Sequence, residues 1–231
     1  MYLRTALVWA AGLPVTFALF ALVVLSLLVD RSGCLVHSIG ALWCRLILAL
    51  SGVRVTVKGM ENLPLDRPVI IVSNHQGAFD IPVLQSHIPV QFRWVAKKSL
   101  FRIPVVGWSM RLAGYIGIDR SDAGSAYRSI EKAAEKVKKG TSVLLFPEGT
   151  RSVTGKLLPF KKGGFLLAAK SGVEIVPVAV KGTKGVMKKG SLLISPAGVT
   201  LTIGRPMPTE GLGERELRSR ARAAIEELLT S

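Results

Sequence analysis

A histidine and an aspartate five residues apart are the first residues in this chain that could do chemistry. His75 and Asp80 lie in a polar segment that directly follows the apolar run Pro68–Val72. Such a run is typical of a buried strand, so the histidine would stand at the sheet edge, where ligands of α/β proteins bind. If Asp80 accepts one ring N–H, the other nitrogen stays basic, and His75 can act as a general base.

The spacing of this pair constrains the backbone between them. On a regular helix, five residues would turn the two side chains about 140° apart. We therefore predict an irregular turn with its bend at Gly77, because glycine adopts backbone angles that other residues avoid. Purely structural roles stay open: Asp80 could cap the helix that Pro82 opens, and His75 could bond only to loop carbonyls.

Two further predicted strands end in polar segments that contain an arginine. Ser142–Phe146 is followed by Pro-Glu-Gly-Thr-Arg-Ser, which brings in Arg151, and Tyr115–Ile118 is followed by Asp-Arg, which brings in Arg120. A guanidinium binds phosphate bidentately, so the two arginines together predict a phosphate clamp. Glu148 could orient Arg151 or bond to a substrate hydroxyl. Either arginine alone would more commonly be a solvated surface charge.

The elements that must position these residues alternate between short β-branched runs and helical patterns. This alternation predicts an α/β fold with a mostly parallel central sheet flanked by helices. The last predicted helix has an apolar stripe that should pack on the domain. Predicted strands are Val53–Val57, Val69–Val72, Phe92–Ala96, Tyr115–Ile118, Ser142–Phe146, Glu174–Val180, Leu192–Ile194 and Val199–Ile203. Predicted helices are Ile81–His87, Ala123–Lys138, Gly163–Lys170 and Glu214–Leu229.

The first 51 residues are far more apolar than the rest. Thr5–Val29 runs for 25 residues without a formal charge, and Cys34–Leu50 is a second apolar stretch. Two helices joined by so short a turn should form an antiparallel hairpin that spans a bilayer or enters one leaflet. Gly12 and Pro14 disfavour a straight span and favour a one-sided anchor. We divide the chain into a membrane anchor, residues 1–51, and an α/β domain, residues 52–231.

Two alternatives to the anchor remain. The hairpin could pack on a soluble core, although core helices are seldom this long and apolar throughout. A cleaved signal peptide is disfavoured, because the apolar run is too long and no Ala-x-Ala-like site follows it.

The chain carries a formal net charge of +16. Residues 1–51 contain three arginines and one aspartate, so +14 belongs to residues 52–231. Beside an apolar anchor this charge indicates an anionic membrane surface, since each basic group adds about 1 kcal/mol of attraction. No zinc, RRM or KH pattern supports nucleic-acid binding. Basic residues that could hold the domain on the membrane are Lys156, Lys161, Lys162, Lys184, Lys188 and Lys189.

Cysteine and acidic residues point to neither a disulfide framework nor a metal centre. Cys34 and Cys44 lie ten residues apart in the second apolar stretch, which suits thiols in a chain with a cytoplasmic catalytic domain. His75 with the scattered Asp119 and Glu148 lacks the ligand set of a structural or catalytic ion, so we predict no metal site.

Four segments in order carry a resemblance to a known family. They are NHQGAFD at residues 74–80, GYIGIDR at 114–120, FPEGTRS at 146–152 and IVPVAV at 175–180. Their sequence and spacing resemble the four blocks of the glycerolipid acyltransferase family, specifically the bacterial 1-acylglycerol-3-phosphate acyltransferases. The likeness covers roughly residues 53–180 by motif and the whole chain by layout.

The resemblance implies an activity and a role for each matching residue. The expected reaction moves a fatty acyl chain from an acyl thioester to the sn-2 hydroxyl of lysophosphatidic acid, which yields phosphatidic acid. His75 would deprotonate the acceptor hydroxyl and Asp80 would orient His75. Residues implied in substrate binding are Arg120, Glu148, Gly149, Thr150 and Arg151 at the phosphate end, and Lys97 near the reaction centre. Pro177 would shape the fourth block, and Gly117 stands where the family usually has Phe, which bears on acyl-chain length or acceptor shape.

No cofactor is expected, because acyl-CoA or acyl carrier protein would supply the acyl group as a substrate. The expected location is the cytoplasmic face of the inner membrane. Another lysolipid or glycerol-3-phosphate could be the acceptor instead. A non-enzymatic peripheral lipid-binding protein is the alternative from another class, and it would bind lipid without turnover. The chain has no Gly-x-Ser-x-Gly elbow, which disfavours a nucleophile-based hydrolase.

Overall fold

Two long apolar helices open the computed structural model, which describes residues 2–188 and 190–230. They are α1 (Tyr2–Ser26) and α2 (Cys34–Ser51), and both are long and apolar enough to cross a membrane. The turn between them contains Gly33 in the left-handed region, with φ of 78°. These helices form the predicted antiparallel hairpin. Lys189, one of the lysines assigned to the membrane face, lies outside the described residues.

The rest of the described chain builds one seven-stranded sheet with the order β1-β7-β6-β2-β5-β3-β4. Strands β2 to β6 run parallel to one another where they pair, whereas β7 is antiparallel to β6 and parallel to β1. The predicted mostly parallel α/β architecture is therefore confirmed. The strands are β1 (Arg54–Lys58), β2 (Ile70–Ser73), β3 (Phe92–Lys97), β4 (Ile116–Ile118), β5 (Ser142–Leu145), β6 (Ile175–Lys181) and β7 (Gly198–Ile203).

Helices cover both faces of the sheet. They are α3 (Asp80–His87), α4 (Val106–Leu112), α5 (Ala123–Lys138), α6 (Gly163–Ser171), α7 (Thr183–Val186) and α8 (Glu214–Thr230), with 3₁₀ turns at Met60–Asn62 and Lys98–Arg102. The four helices predicted in residues 52–231 are present. The apolar stripe of α8 packs on β6 and α6. Helices α4 and α7 were not predicted, because one or two turns show too little periodicity to be recognised.

The predicted strand Leu192–Ile194 is wrong, because its backbone bonds to side chains of α1 and not to another strand. The Trp9 indole donates to the Leu192 carbonyl over 3.1 Å. The Thr5 hydroxyl accepts from the Ile194 amide at 3.0 Å. Residues 192–194 therefore pair with no strand of the sheet. Their bonds to Thr5 and Trp9 attach the start of α1 to the domain.

The sheet separates two apolar cores. One contains the fully buried Ile71, Val83 and Leu144 and extends to α1 and α2. The other lies under α5, α6 and α8 and includes Phe165 and Leu217. Because α2 packs on α3, the hairpin lies against the helix that follows the His75 turn.

The turn of the hairpin also sits tightly against the domain. A methyl group on Gly33 would lie 2.6 Å from the Leu112 carbonyl oxygen, so only glycine allows this approach. At the other end, the Arg4 guanidinium lies directly on Gly52, the residue that ends α2. The hairpin is thus held on the α/β domain at its turn by the close approach of Gly33 and at its start by Thr5 and Trp9.

Candidate active site

Five parallel strands bring their carboxyl ends to one edge of the sheet. His75 follows β2, Lys97 ends β3, Arg120 follows β4, Gly149 follows β5 and Thr183 follows β6. Connections at this edge supply the ligand sites of open α/β sheets. The sequence-predicted residues other than Gly117 and Pro177 therefore meet in one region.

His75 and Asp80 are in direct contact. His75 Nδ1 lies 2.7 Å from Asp80 Oδ2, and the Asp80 side chain is 0% exposed while that of His75 is 14% exposed. The imidazole stacks on the Phe146 ring, with centroids 4.0 Å apart and an interplanar angle of 7°. With Nδ1 facing the carboxylate, Nε2 is the nitrogen free to take a proton. This arrangement can act as a positioned general base.

The segment between the two residues is an irregular turn, and α3 begins only at Asp80. Asp80 Oδ2 accepts from the amides of Gln76 and Gly77 over 2.6 and 2.9 Å, so this carboxylate bonds back into the turn. No side chain caps the N-terminus of α3. The turn therefore folds the aspartate towards the histidine, as its spacing requires.

Gly77 is required at this bend for a reason other than the one the sequence suggested. Its φ does not lie in the left-handed region, so its backbone angles are not the constraint. A methyl group at Gly77 would stand 2.8 Å from the Thr183 carbonyl oxygen. Glycine is needed because the turn passes so close to the start of α7.

Thr183 was missed by the sequence reasoning. Its hydroxyl donates to Asp80 Oδ1, and the residue is fully buried. The available signal was a polar residue two positions after the apolar strand β6, and a polar residue shortly after a strand is also what identified His75. Without the strand order, however, nothing placed that strand end next to β2.

Glu148 holds the backbone of the histidine turn. Its Oε1 accepts from the His75 amide over 2.7 Å, and its Oε2 accepts from the Leu158 amide over 2.9 Å. The Ser152 amide in turn donates to the His75 carbonyl over 2.8 Å. Burial raises the pKa of the Glu148 carboxyl above its ordinary value, against the lowering effect of the two amides. With both oxygens occupied, Glu148 differs from the expected substrate contact and positions the turn instead.

The cationic residues expected at the phosphate end open onto a cavity of about 510 Å³. Its polar end holds His75 together with Gly149 and Thr150, and its cationic residues are Lys97, Arg120 and Arg151. None of these three cations has an ion pair or a side-chain hydrogen bond within the described part of the chain. Unpaired guanidinium groups beside a basic histidine can bind a phosphate.

The remainder of the cavity is mainly apolar and is walled partly by the hairpin. Its lining includes Phe20 and Val23 from α1, Ile39 and Trp43 from α2, and Val106 and Met110 from α4. A chamber with this lining can hold a hydrocarbon chain whose reacting end lies at His75.

Gly117 and Pro177 lie away from this cavity. Gly117 in β4 faces the Phe101 ring, which would be 3.3 Å from a methyl group at that position. Pro177 is buried in β6, and its carbonyl accepts from the Gly204 amide over 2.8 Å. Both positions therefore pack the sheet, and the aromatic ring next to β4 comes from Phe101.

No cluster of three or more His, Cys, Asp or Glu side chains suited to a metal ion occurs among residues 2–188 and 190–230. Asp119 is one of the acidic residues that the sequence analysis weighed as a metal ligand. Its Oδ2 accepts a hydrogen bond from Lys98 Nζ over 2.8 Å. This contact lowers the pKa of the Asp119 carboxyl to about 2.

Comparison with known proteins decides the family of this chain. A family profile described as Acyltransferase matches residues 54–181, which include the whole sheet edge from β2 to β6. The chain belongs to the acyltransferase family. This acyltransferase also resembles curated proteins named 1-acyl-sn-glycerol-3-phosphate acyltransferase. That of Chlamydomonas reinhardtii is 42% identical over 157 residues, or 67% of this chain and 47% of that protein. That of Pseudomonas aeruginosa is 34% identical over 195 residues, or 81% of this chain and 75% of that protein.

A solved structure matches nearly the whole acyltransferase. The crystal structure of the 1-acyl-sn-glycerophosphate (LPA) acyltransferase PlsC from Thermotoga maritima has a TM-score of 0.82 and 31% sequence identity. The match covers 98% of this chain and 95% of that chain, so it includes the N-terminal hairpin. The acyltransferase spans about half the length of the algal and plant relatives that it matches, at 47%, 50% and 48%.

Proposed function

We propose that this acyltransferase moves a fatty acyl chain from an acyl thioester to the sn-2 hydroxyl of lysophosphatidic acid and so makes phosphatidic acid. One observation carries the proposal: the His75–Asp80 pair opens onto a single cavity that joins unpaired cations to an apolar chamber. The acceptor combines the same three features, since it has a phosphate, a hydroxyl and a hydrocarbon chain. The names of the relatives support the same acceptor.

The proposed reaction is a direct transfer. Asp80 holds the Nδ1–H of the imidazole, and Nε2 removes the proton from the acceptor hydroxyl as its oxygen attacks the thioester carbonyl carbon. The new C–O bond forms, the C–S bond breaks, and the departing thiolate takes the proton back from His75. General-base positioning of this kind typically contributes about 10²–10⁴ in rate.

We assign the phosphate of the acceptor to Arg120 and Arg151, with Gly149 and Thr150 at the same end of the cavity. Lys97, at the end of β3, lies beside them as a further cation. Two planar guanidinium groups can share the phosphate oxygens, whereas an ammonium acts as a compact point charge. These residues would set the position of the sn-2 hydroxyl relative to Nε2.

We further propose that the hairpin enters one leaflet of the membrane. Its turn contacts α4 at Leu112, and its first turn bonds to Ile194. With both ends held on the α/β domain, neither end can reach the opposite leaflet, although α1 is long enough to cross. The basic domain would then lie on the cytoplasmic face against anionic lipids, and acyl-CoA or acyl carrier protein would reach it from the water.

The experiment is an acceptor panel offered to the purified protein in neutral detergent. Lysophosphatidic acid, lysophosphatidylethanolamine, lysophosphatidylcholine and glycerol-3-phosphate are each supplied with acyl-CoA or with acyl carrier protein, and products are identified by mass. We expect phosphatidic acid from the first acceptor. Turnover of another acceptor alone would overturn the assignment of substrate.

His75→Ala tests the mechanism in the same assay. We expect its rate to fall by about 10² or more, because the general base is lost. His87→Ala is the matched control. Among residues 2–188 and 190–230, the His87 ring bonds only within α3, to Val83 and Ser86, so this variant should keep wild-type turnover. A folded His75→Ala protein that transfers the acyl chain at close to the wild-type rate would contradict the assignment of His75 as the general base.

A further inference from the structure

Lys161 lies beside the candidate phosphate site although it was assigned only to the membrane face. Its loop is bonded to the turn after β5 at three places. Leu158 donates its amide to Glu148 over 2.9 Å, and Lys161 donates its own amide to the Pro147 carbonyl over 2.9 Å. Ser152 Oγ donates to the Lys156 carbonyl over 2.6 Å. These bonds hold the Lys161 backbone in a defined position relative to Gly149.

The Lys161 side chain passes directly over Gly149. A methyl group on Gly149 would lie 3.2 Å from both Cδ and Cε of Lys161, and 3.1 Å from Nη1 of Arg120. The two cations therefore converge on the same glycine, which has no side chain to hold them apart. Gly149 also has φ of 71°, in the region that favours glycine.

The side chains nearest to Gly149 are both cationic. Neither Lys161, Arg120 nor Arg151 forms an ion pair in the part of the chain that the structure describes. Glu148 is adjacent, but its two oxygens accept the His75 and Leu158 amides. Like charges that converge without a counterion repel one another, so an anion bound between them would relieve the repulsion.

We propose that Lys161 is a further cationic ligand of the acceptor phosphate, beside Arg120 at Gly149. This inference rests on the proposed function, because it supposes that the acceptor carries a phosphate. Arg120, Arg151 and Gly149 line the cavity, and Lys161 reaches the same glycine from the loop before α6. An additional cation at this glycine would set the position of the phosphate relative to His75 more narrowly than the arginines alone.

Lys162 provides a matched control. It has the same charge, is also exposed and is adjacent in the chain, but it stands at the N-terminus of α6, where its carbonyl accepts from the Leu166 amide over 2.9 Å. None of its atoms is among the nearest neighbours of Gly149. Both lysines could attract an anionic membrane, whereas only Lys161 can reach the phosphate.

The experiment compares Lys161→Met with Lys162→Met in neutral detergent micelles at constant ionic strength, with lysophosphatidic acid as acceptor. No anionic membrane is present there, so a role in membrane docking alone would change neither variant. We expect Lys161→Met to raise the KM for lysophosphatidic acid about 10-fold with kcat nearly unchanged. Lys161→Arg should recover most of the affinity, and Lys162→Met should match the wild type.

Equal KM values for the two methionine variants would overturn the inference. A fall in kcat without a change in KM would also overturn it, since it would assign Lys161 to the chemical step. Failure of the proposed function appears differently: the wild-type protein itself would not turn over lysophosphatidic acid.

Discussion

At the scale of single residues, the Asp80 carboxylate is held by four neighbouring groups. Its Oδ2 accepts from His75 Nδ1 and from two turn amides, and its Oδ1 accepts from the Thr183 hydroxyl. A fully buried carboxylate is stable only when its oxygens are paired in this way. The consequence is a fixed carboxylate, and a fixed carboxylate determines the orientation of the His75 ring.

Thr183→Val should therefore impair catalysis without touching substrate. Valine keeps the shape of threonine but removes the hydroxyl, which leaves Asp80 Oδ1 without its donor and costs about 1–3 kcal/mol of stability. We expect kcat to fall about 10-fold or more while the KM for the acceptor stays within about twofold. Steady-state kinetics and thermal unfolding of the purified protein measure the two effects.

Thr183→Ser is the control for this change, because serine keeps the hydroxyl and loses only a methyl group. It should retain most of the wild-type kcat. If valine and serine at this position gave the same kcat, the bond to Asp80 would have no part in orienting His75.

At the scale of elements, the site depends on two turns joined by one carboxylate. Glu148, in the turn after β5, binds the His75 amide in the turn after β2 and the Leu158 amide in the loop that leads to α6. The connection after β2 and the connection from β5 to α6 are thus joined at one buried group. A change at Glu148 should disturb the loops together.

Glu148→Gln tests this bridge. Glutamine has one oxygen where glutamate has two, so one of the two amides would face an NH₂ group and lose its acceptor. We expect the free energy of unfolding to fall by about 1–3 kcal/mol at pH 7.5. Thermal or denaturant unfolding in detergent gives this value. Glu135→Gln, on the exposed surface of α5, is a suitable control and should leave it unchanged.

The difference in the free energy of unfolding between the wild type and Glu148→Gln should change with pH in a direction set by the pKa of Glu148. Burial raises the pKa of Glu148 in the folded state above its ordinary value of 4.5, so its ionisation weakens the fold as the pH rises through the folded pKa. Lowering the pH from 7.5 towards 4.5 should stabilise the wild type relative to Glu148→Gln, which does not titrate. The stability gap should therefore widen down to about pH 4.5 and stay constant below it. A gap that narrows in this window would contradict the raised pKa.

At the scale of the whole molecule, the apolar hairpin and the basic domain form one body. The hairpin is held at its turn and at its start, and much of its outer surface is apolar and exposed, with Phe17 61% exposed and Leu13 52% exposed. The formal net charge of +16 adds an attraction to anionic lipid. Membrane binding should therefore have a salt-sensitive part and a salt-resistant part.

Flotation with vesicles separates the two parts. With vesicles that contain anionic phospholipid, about 1 M salt shortens the range of charge interactions to about 3 Å and should weaken binding without releasing the protein. With purely neutral phosphatidylcholine vesicles, binding should be weaker and nearly independent of salt. Complete release from anionic vesicles by salt alone would show that the hairpin is not embedded.

Much of this site could be read from local patterns. The apolar runs that end in His75, Arg120 and Arg151 indicated strands with polar residues at their carboxyl ends, because burial and strand propensity act over a few residues. The five-residue spacing of His75 and Asp80 required the irregular turn. The length and composition of the first 51 residues indicated the hairpin in the same way.

Contacts between distant parts of the chain could be recognised only from the tertiary structure. Thr183 lies 103 positions from Asp80 and reaches it only because β6 pairs with β2. The roles of Glu148 and Lys161, and the reason for glycine at position 77, likewise depend on which turns lie side by side. Strand order arises from the packing of both cores at once, and no short segment encodes it. For that reason the reactive side chains after each strand could be recognised from the sequence, whereas the residues that contact them could be identified only from the order of the strands in the sheet.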